Sequence, residues 1–165
     1  MLCFSHGLQI PPALVNVTKY HSNFSVTRVQ NFVYTIFPKG RHVNISGIKN
    51  FENIKEALIT FNGQFDTNIT RDNIIIDNLT ASGQLTKQNI HLSKLLHCAG
   101  RDNVIISVRP YYFPSALIRP KDRTGRDNLT TGLLFANGKF IIIGGKSLTT
   151  IENTYTKLCA LTNNL

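Results

Sequence analysis

An internal repeat constrains the fold of this chain more than any other feature. Residues 36–61 and 134–158 each read as an apolar strand, a glycine-containing turn with a basic residue, a second apolar strand and an amphipathic helix. In each helix the apolar residues recur at steps of three and four, which places them on one face. An offset of 97 positions separates three matching pairs: Phe51 and Leu148, Phe61 and Leu158, Lys49 and Lys146. This offset, with one extra residue in the first hairpin, is preserved along the same order of strand, turn, strand and helix and predicts two homologous halves.

The second half is the fuller one. Its apolar patterns predict a strand over 74–80, a helix over 86–99 and strands over 104–108 and 113–119. A hairpin over 129–143 follows, turned at Asn137-Gly138, because Asn-Gly favours tight turns between apolar strands. The last helix is predicted over 147–162.

The first half is compressed. Between Asn16 and Phe37 there is room for strands but not for a helix matching the one predicted over 86–99. The polar segment 62–72 contains a glycine and is typical of a connection. We therefore predict one domain over 1–165, with a shortened first repeat at 13–61, a linker at 62–73 and a second repeat at 74–165.

Composition narrows the class of partner. The 165-residue chain has a net charge of +9 and 42% apolar residues, so it can bury a core and attract phosphate or anionic lipid. A basic protein without such a partner remains an alternative. No apolar run has the roughly 20 residues of a membrane span, and the N-terminus is a poor signal peptide, so we expect no membrane association.

Cysteine and histidine placement favours neither metal nor catalysis. The three cysteines are Cys3, Cys98 and Cys159, in no spaced motif, which is typical of free thiols in a reducing compartment. The histidines form no zinc-binding pattern, and no nucleophile, paired-carboxylate or phosphate-loop motif is present. We predict no metal, no cofactor and no enzymatic activity. The sequons that begin at Asn16, Asn23, Asn44, Asn68, Asn78 and Asn128 leave a secreted glycoprotein as a weaker alternative.

The order of elements resembles the core domain of the TATA-binding protein family. The resemblance is clearest over 113–161, in Phe113-Pro114, Arg119, Leu134-Phe135, Gly138-Lys139 and Gly144-Gly145-Lys146, and it extends to 36–61. It implies an α+β fold, a two-repeat saddle in which a curved antiparallel sheet carries helices on its convex face.

The resemblance also implies how the sheet would read DNA. The minor groove presents only acceptors at A·T pairs, which amide donors and apolar contacts suit. The family's groove-contacting positions fall on Asn16, Thr18, Asn78, Thr80, Ile141 and Ile143. Two threonines replace the valines usual in the family, and Asn44 and Ser46 are the first-repeat counterparts of Ile141 and Ile143. These departures bring strict TATA preference into question.

Two further sets follow from the same resemblance. The family's phenylalanine wedges, which insert between base steps and kink the duplex, fall on Phe37, Phe113, Phe135 and, as a candidate, Phe24. Its phosphate-binding positions fall on Arg28, Arg41, Lys49, Arg119, Lys139 and Lys146. Alternatively, each phenylalanine belongs to the core, and each basic residue to a solvated rim.

The expected function is that of a transcription initiation factor that binds and bends A·T-rich double-stranded DNA through the minor groove. Expected partners are other initiation factors or RNA polymerase. The expected location is intracellular and reducing, in the nucleus or at a viral replication and transcription site in a host cell, since the small size, the compressed first repeat and the Asn-rich composition suggest a large DNA virus. The alternative is an interaction module of a transcription complex that keeps the saddle but has lost DNA bending.

Overall fold

The computed structural model describes residues 2–5, 19–21, 24–37, 42–98, 103–109, 111–121, 130–163 and 165. The chain forms two compact units, Met1–Asp77 and Asn78–Leu165. Within the described residues, each unit contains one antiparallel sheet and one α-helix. The predicted boundaries of the two repeats stay predictions.

The first unit has a six-stranded sheet in the order β2-β3-β4-β5-β1-β6. Its strands are β1 (Leu2–Ser5), β2 (Lys19–His21), β3 (Phe24–Val29), β4 (Phe32–Phe37), β5 (His42–Ser46) and β6 (Ile74–Ile76). Alternate side chains of β4 and β5 are buried with the apolar face of α1 (Asn53–Phe65). The hydroxyl of Tyr34, fully buried in this core, donates a hydrogen bond of 2.9 Å to the carbonyl oxygen of Ala57.

The second unit has a five-stranded sheet in the order β7-β11-β10-β9-β8. Its strands are β7 (Leu79–Gln84), β8 (Val104–Val108), β9 (Ser115–Pro120), β10 (Thr131–Phe135) and β11 (Lys139–Gly145). Helix α2 (Leu148–Asn163) lies against β7, β9, β10 and β11. The core holds Ile118, Leu134, Ile142 and Leu158, all fully buried.

Several predicted elements are confirmed in the second unit. The strand over 104–108 is present, the final helix occupies Leu148–Asn163, and β10 and β11 are joined at Asn137-Gly138. Gly138 has a φ of 82°, which favours glycine. A Cβ there would also collide with the carbonyl oxygen of Lys87.

The helix predicted over 86–99 is wrong in type and length, because only Leu92–Cys98 is helical and the helix is of the 3₁₀ kind. The amides of Leu85 and Ile90 donate to carbonyl oxygens of the hairpin turn, at Gly138 and Ala136. Asn89 has a φ of 55°, which interrupts a helix. The segment before Leu92 is therefore held along the hairpin turn.

Two predicted strands have different boundaries. The strand expected over 74–80 divides into β6, which pairs with β1 in the first sheet, and β7, which pairs with β11 in the second. The strand expected over 113–119 begins at Ser115, because the amide of Phe113 bonds the carbonyl of Arg109 in a turn.

The segment predicted as a linker is partly structured. Helix α1 extends to Phe65, so residues 62–65 form its last turn. The side chain of Asn62 bonds the backbone of Ile69 in both directions, and Ile69 is buried in the first core. The polar composition of this segment did not indicate a turn. The turn depends on the side-chain hydrogen bonds of Asn62, which fold the chain back on itself.

Candidate nucleic-acid interface

Each sheet has one face covered by its helix and one that the helix leaves uncovered, which we call the open face. Successive side chains of a strand point to opposite faces, so the residues between the core residues share the open face. On the second sheet these include Thr80, Ser82, Leu117, Arg119, Leu133, Phe135, Lys139, Ile141 and Ile143. On the first sheet they include Phe24, Val26, Arg28, Val33, Thr35, Phe37, His42, Asn44 and Ser46.

The four predicted wedge phenylalanines form two pairs, one on each sheet. The ring centroids of Phe113 and Phe135 are 6.3 Å apart, and those of Phe24 and Phe37 are 5.8 Å apart. None of the four belongs to either core cluster, and Phe113 is 47% exposed. The alternative of core packing therefore does not describe these side chains.

The two pairs are built differently. Phe37 and Phe135 both end the first strand of a hairpin, at equivalent positions in the ladder. Phe24 lies on β3 itself, at the place that Ser115 takes on β9, whereas Phe113 precedes β9 by two residues. A similar aromatic pair therefore arises from two different positions in the chain.

A hollow of about 540 Å³ lies beside Phe135. It is lined by Ser82, Gly83, Gln84, Phe135, Asn137, Lys139, Phe140 and Ile141. The ring of Phe135 therefore borders open space next to Ile141, which is the setting that a contact with an external ligand requires.

Of the predicted groove-contacting residues, Ile141 is half-buried and Thr80 and Ile143 are exposed. Asn78 accepts the amide N–H of Gly144 with its Oδ1 atom at 2.9 Å. Gly144 has a φ of 82° and lies where the pairing of β11 with β7 shifts register, so this bond supports a β-bulge. The oxygen of the Asn78 amide thus accepts a hydrogen bond inside the protein. Its NH₂ group is the donor that an acceptor in the minor groove would use.

The predicted counterparts of Asn78 and Thr80 in the first half, Asn16 and Thr18, lie outside the described residues. The strand that flanks β5 as β7 flanks β11 is β1, Leu2–Ser5. Cys3 of β1 pairs with Asn44, and Ser82 of β7 pairs with Ile141. Because Asn44 and Ile141 are counterparts, Cys3 takes the position in the first sheet that Ser82 takes in the second. The sheet order therefore does not support the predicted match of residues 14–18 with 76–80.

The described basic residues of the predicted phosphate set are Arg28, Lys49, Arg119, Lys139 and Lys146, and all are exposed. Arg28 and Arg119 occupy equivalent open-face positions on β3 and β9, and Nε of Arg119 donates to the hydroxyl of Thr131 at 3.2 Å. Lys49 and Lys146 each follow the second strand of a hairpin. Arg41 lies outside the described ranges.

Two features escaped the sequence reasoning. The His42 ring stacks on Phe37, with centroids 4.5 Å apart and planes 18° apart. Tyr111 and Tyr112 are 98% and 89% exposed in the turn before Phe113. Their position between two prolines, in Arg109-Pro110-Tyr111-Tyr112-Phe113-Pro114, was the signal for an aromatic turn.

The part of the chain that the structure covers shows neither a metal cluster nor a membrane-spanning helix. There, no three His, Cys, Asp or Glu side chains cluster closely enough to hold a metal ion. Among the same residues, no helix has the length and apolar character that crossing a bilayer demands.

Comparison with known proteins adds to this geometry. A solved structure of Methanococcus jannaschii TBP superposes with a TM-score of 0.71 at 19% sequence identity, covering 99% of this chain and 95% of that one. This agreement confirms the predicted α+β fold of the TATA-binding protein. No curated protein sequence matches significantly. The profile of the family described as "Transcription factor TFIID (or TATA-binding protein, TBP)" matches residues 73–165, more than half of the chain. The chain therefore belongs to the TATA-binding protein family, a family of DNA-binding transcription factors rather than enzymes.

Proposed function

We propose that this protein is a transcription initiation factor that binds double-stranded DNA in the minor groove and bends it. The main support is the placement of the four phenylalanines. Phe24 and Phe37 pair on the first open face, and Phe113, in the turn before β9, packs against Phe135 of the second; none of the four takes part in either core.

The incomplete burial of these rings has an energetic meaning, since three of them are half-buried and Phe113 is 47% exposed. Burying a phenylalanine side chain fully contributes about 1.5–3 kcal/mol, of which these rings gain only a part within the protein. Inserting such a ring between base steps unstacks them at a cost of a few kcal/mol and lets the bent duplex contact more protein. A partner that provides a slot for an aromatic ring therefore suits these pairs.

Charge supports the same partner. The chain carries a net charge of +9, and Arg28 and Arg119 stand at equivalent positions on the two open faces. Basic side chains that flank an apolar surface bind phosphates and set the register of a protein on a duplex. The apolar surface then reads the groove itself.

The second unit suits A·T pairs. Leu133, Ile141 and Ile143 present aliphatic groups on its open face. The acceptors of A·T pairs would receive hydrogen bonds from the amide of Asn78, and the aliphatic groups would contact sugars and base edges. A guanine would place an amino group against the same aliphatic groups.

Other initiation factors or RNA polymerase are the proposed protein partners. Ile59 on α1 is 63% exposed, and Tyr111 and Tyr112 protrude from a loop of the second unit. Tyrosine is enriched among the residues that contribute most to protein interfaces, so the tyrosine pair is the stronger candidate of the two. We place the protein where transcription occurs, in the nucleus or at a viral transcription site.

The decisive experiment compares Phe135→Ala with the wild type on A·T-rich and G·C-rich duplexes, in a band-shift assay with circularly permuted sites. We expect tighter binding to the A·T-rich duplex, and we expect Phe135→Ala to abolish bending. The free energy of unfolding should change by less than about 1 kcal/mol, whereas truncating a core phenylalanine costs about 3–5 kcal/mol.

Phe51→Ala is the matched control, because Phe51 is 39% exposed beside α1 and not on a sheet. It should bind and bend DNA as the wild type does. Equal bending by wild type and Phe135→Ala, or a loss of stability of core size, would contradict the proposal.

The alternative function is an interaction module that keeps the fold but does not bend DNA. Its support is the polar open face of the first sheet, where Thr35, Asn44 and Ser46 stand. An absence of salt-sensitive binding to any duplex, together with capture of a transcription subunit that Asn44→Ala weakens, would favour it.

A further inference from the structure

The two open faces differ in chemistry at positions that the ladders make equivalent. In the first hairpin Phe37 pairs with His42, and in the second Phe135 stands opposite Lys139. Counting along each ladder from these pairs matches Thr35 with Leu133, Asn44 with Ile141 and Ser46 with Ile143. Three polar side chains thus stand where the second sheet has three aliphatic ones.

One group in the minor groove would interact differently with these two surfaces. A·T pairs present acceptors alone, whereas a G·C pair adds the N2 amino group of guanine, a donor. An isoleucine cannot accept this hydrogen bond, so covering the amino group with Ile141 or Ile143 would leave a buried donor unsatisfied. Asparagine and serine both donate and accept, so they can satisfy either kind of pair.

The amide oxygen of Asn44 is the acceptor that could bond a guanine amino group. Its Oδ1 atom is buried and makes no hydrogen bond to any described residue. Its neighbours across the ladder are Thr35 and Cys3. A buried acceptor without a donor is rare and costly. Turning the Asn44 side chain outward to meet a guanine amino group would therefore break no hydrogen bond of Oδ1 to a described residue.

We propose that the two units read different base pairs. The half-site under the first unit accepts G·C pairs through Asn44 and Ser46, whereas the half-site under the second unit requires A·T pairs because of Ile141 and Ile143. A duplex with G·C in one half is then bound in a single orientation. This inference rests on the proposed minor-groove binding and names the sequence class that it selects.

The test uses four duplexes of equal length that share an A·T-rich palindromic site. One duplex is unaltered, one has guanine in one half, one has guanine in both halves, and one has inosine in both halves. Inosine lacks the N2 amino group, so it isolates that atom. We expect near-equal dissociation constants for the unaltered, one-half and inosine duplexes, and a loss of about tenfold or more for guanine in both halves.

Two double variants reverse the pattern. Asn44→Ile with Ser46→Ile should remove tolerance of guanine in one half, and Ile141→Asn with Ile143→Ser should restore binding when both halves carry guanine. Lys55→Ala, on the exposed side of α1, is the control and should follow the wild type. Thermal unfolding shows whether each variant is folded. The comparison of the four duplexes with the wild-type protein tests the proposal even if a variant does not fold.

The outcomes separate the two proposals. If no duplex binds, the proposed function fails. If the wild type binds the unaltered duplex but loses as much affinity from guanine in one half as in both, or loses none in either case, the minor-groove proposal survives and the half-site inference is overturned.

Discussion

At the scale of single residues, the phenylalanines show what a family resemblance can and cannot predict. Phe113 and Phe135, both predicted as wedges, lie against each other outside the core, and their role as wedges stays a prediction. The candidate Phe24 also pairs with Phe37, but from a different ladder position than its supposed equivalent. The residue type was therefore predictable, whereas the ring pairing and the register were not, because the first half lacks a gap-free match.

Asn78 carries two separable roles at this scale. Asn78→Ala should lower the free energy of unfolding by about 1 kcal/mol, because the amide of Gly144 loses its acceptor. Asn78→Asp keeps that acceptor and should retain most of the stability. Both variants lack the amide donors, so both should weaken binding to an A·T-rich duplex. Urea unfolding and band shifts check this, and wild-type stability in Asn78→Ala would show that the bond to Gly144 contributes nothing.

Tyr34 gives the first unit a dependence on alkaline pH. Burial raises the pKa of its phenol to about 12 from 10.0, and the negative charge of Glu56 adds to the effect while a hydrogen bond with Thr60 opposes it. Between about pH 10 and about pH 12 the native state keeps a proton that the unfolded chain loses, so stability is full below this range and falls as pH rises through it.

Tyr34→Phe should abolish this contribution. At neutral pH the variant should lose about 1 kcal/mol, because Ala57 loses its hydrogen-bond donor. The urea midpoints of wild type and variant should converge as the pH rises from 9 to 11. Both proteins contain the other tyrosines, so comparing the two midpoints cancels the effect of those residues. A gap that stays constant over this range would contradict the assignment.

At the scale of elements, hairpins and helices with strong periodicity were predictable, and irregular connections were not. The turn at Asn137-Gly138 and helix α2 follow from local chemistry. The helix expected over 86–99 fails for a tertiary reason, since Leu85 and Ile90 bond the turn of a hairpin more than 40 positions away in the chain. Of the leucines that predicted this helix, Leu95 is fully buried and Leu92 packs against the core, whereas Leu96 is 45% exposed, so the 3₁₀ turn buries only part of the predicted face.

The hairpin turn yields a prediction of its own. Gly138→Ala should destabilise the second unit by about 2 kcal/mol, because alanine must adopt a left-handed conformation and its Cβ meets the Lys87 carbonyl oxygen. Thermal unfolding measures the loss. Gly63→Ala is the control, because nothing lies within 4 Å of the added Cβ and alanine favours the helix; a loss of similar size there would contradict the argument.

At the scale of the whole molecule, the internal repeat was the most informative signal. It predicted two related halves, and each unit does place a hairpin next to a helix-covered core. The position of β1 was not predictable, because Leu2–Ser5 is short and pairs with strands that lie about 40 and 70 residues farther along. Such distant pairing leaves no local pattern in the chain.

Net charge is also a property of the whole molecule. If DNA binding depends on phosphate contacts, the logarithm of the association constant should fall linearly with the logarithm of salt concentration. Arg28→Ala and Arg119→Ala should each reduce that slope by about 1 and weaken binding to all sequences alike. Arg71→Ala, an exposed change of equal charge outside the open faces, should leave the slope unchanged; an equal effect there would mean that only total charge matters.

The exposed turn before Phe113 has a practical consequence. The chain has no tryptophan and five tyrosines, so its ultraviolet emission comes from tyrosine alone. Tyr34 is shielded in the first core, whereas Tyr111 and Tyr112 stand in solvent next to a proposed wedge. Quenching by iodide would act on these two rings, and on the 42% exposed ring of Tyr155, before Tyr34. In a Tyr155→Phe background the chain therefore contains an intrinsic optical reporter at the place where occupancy matters most.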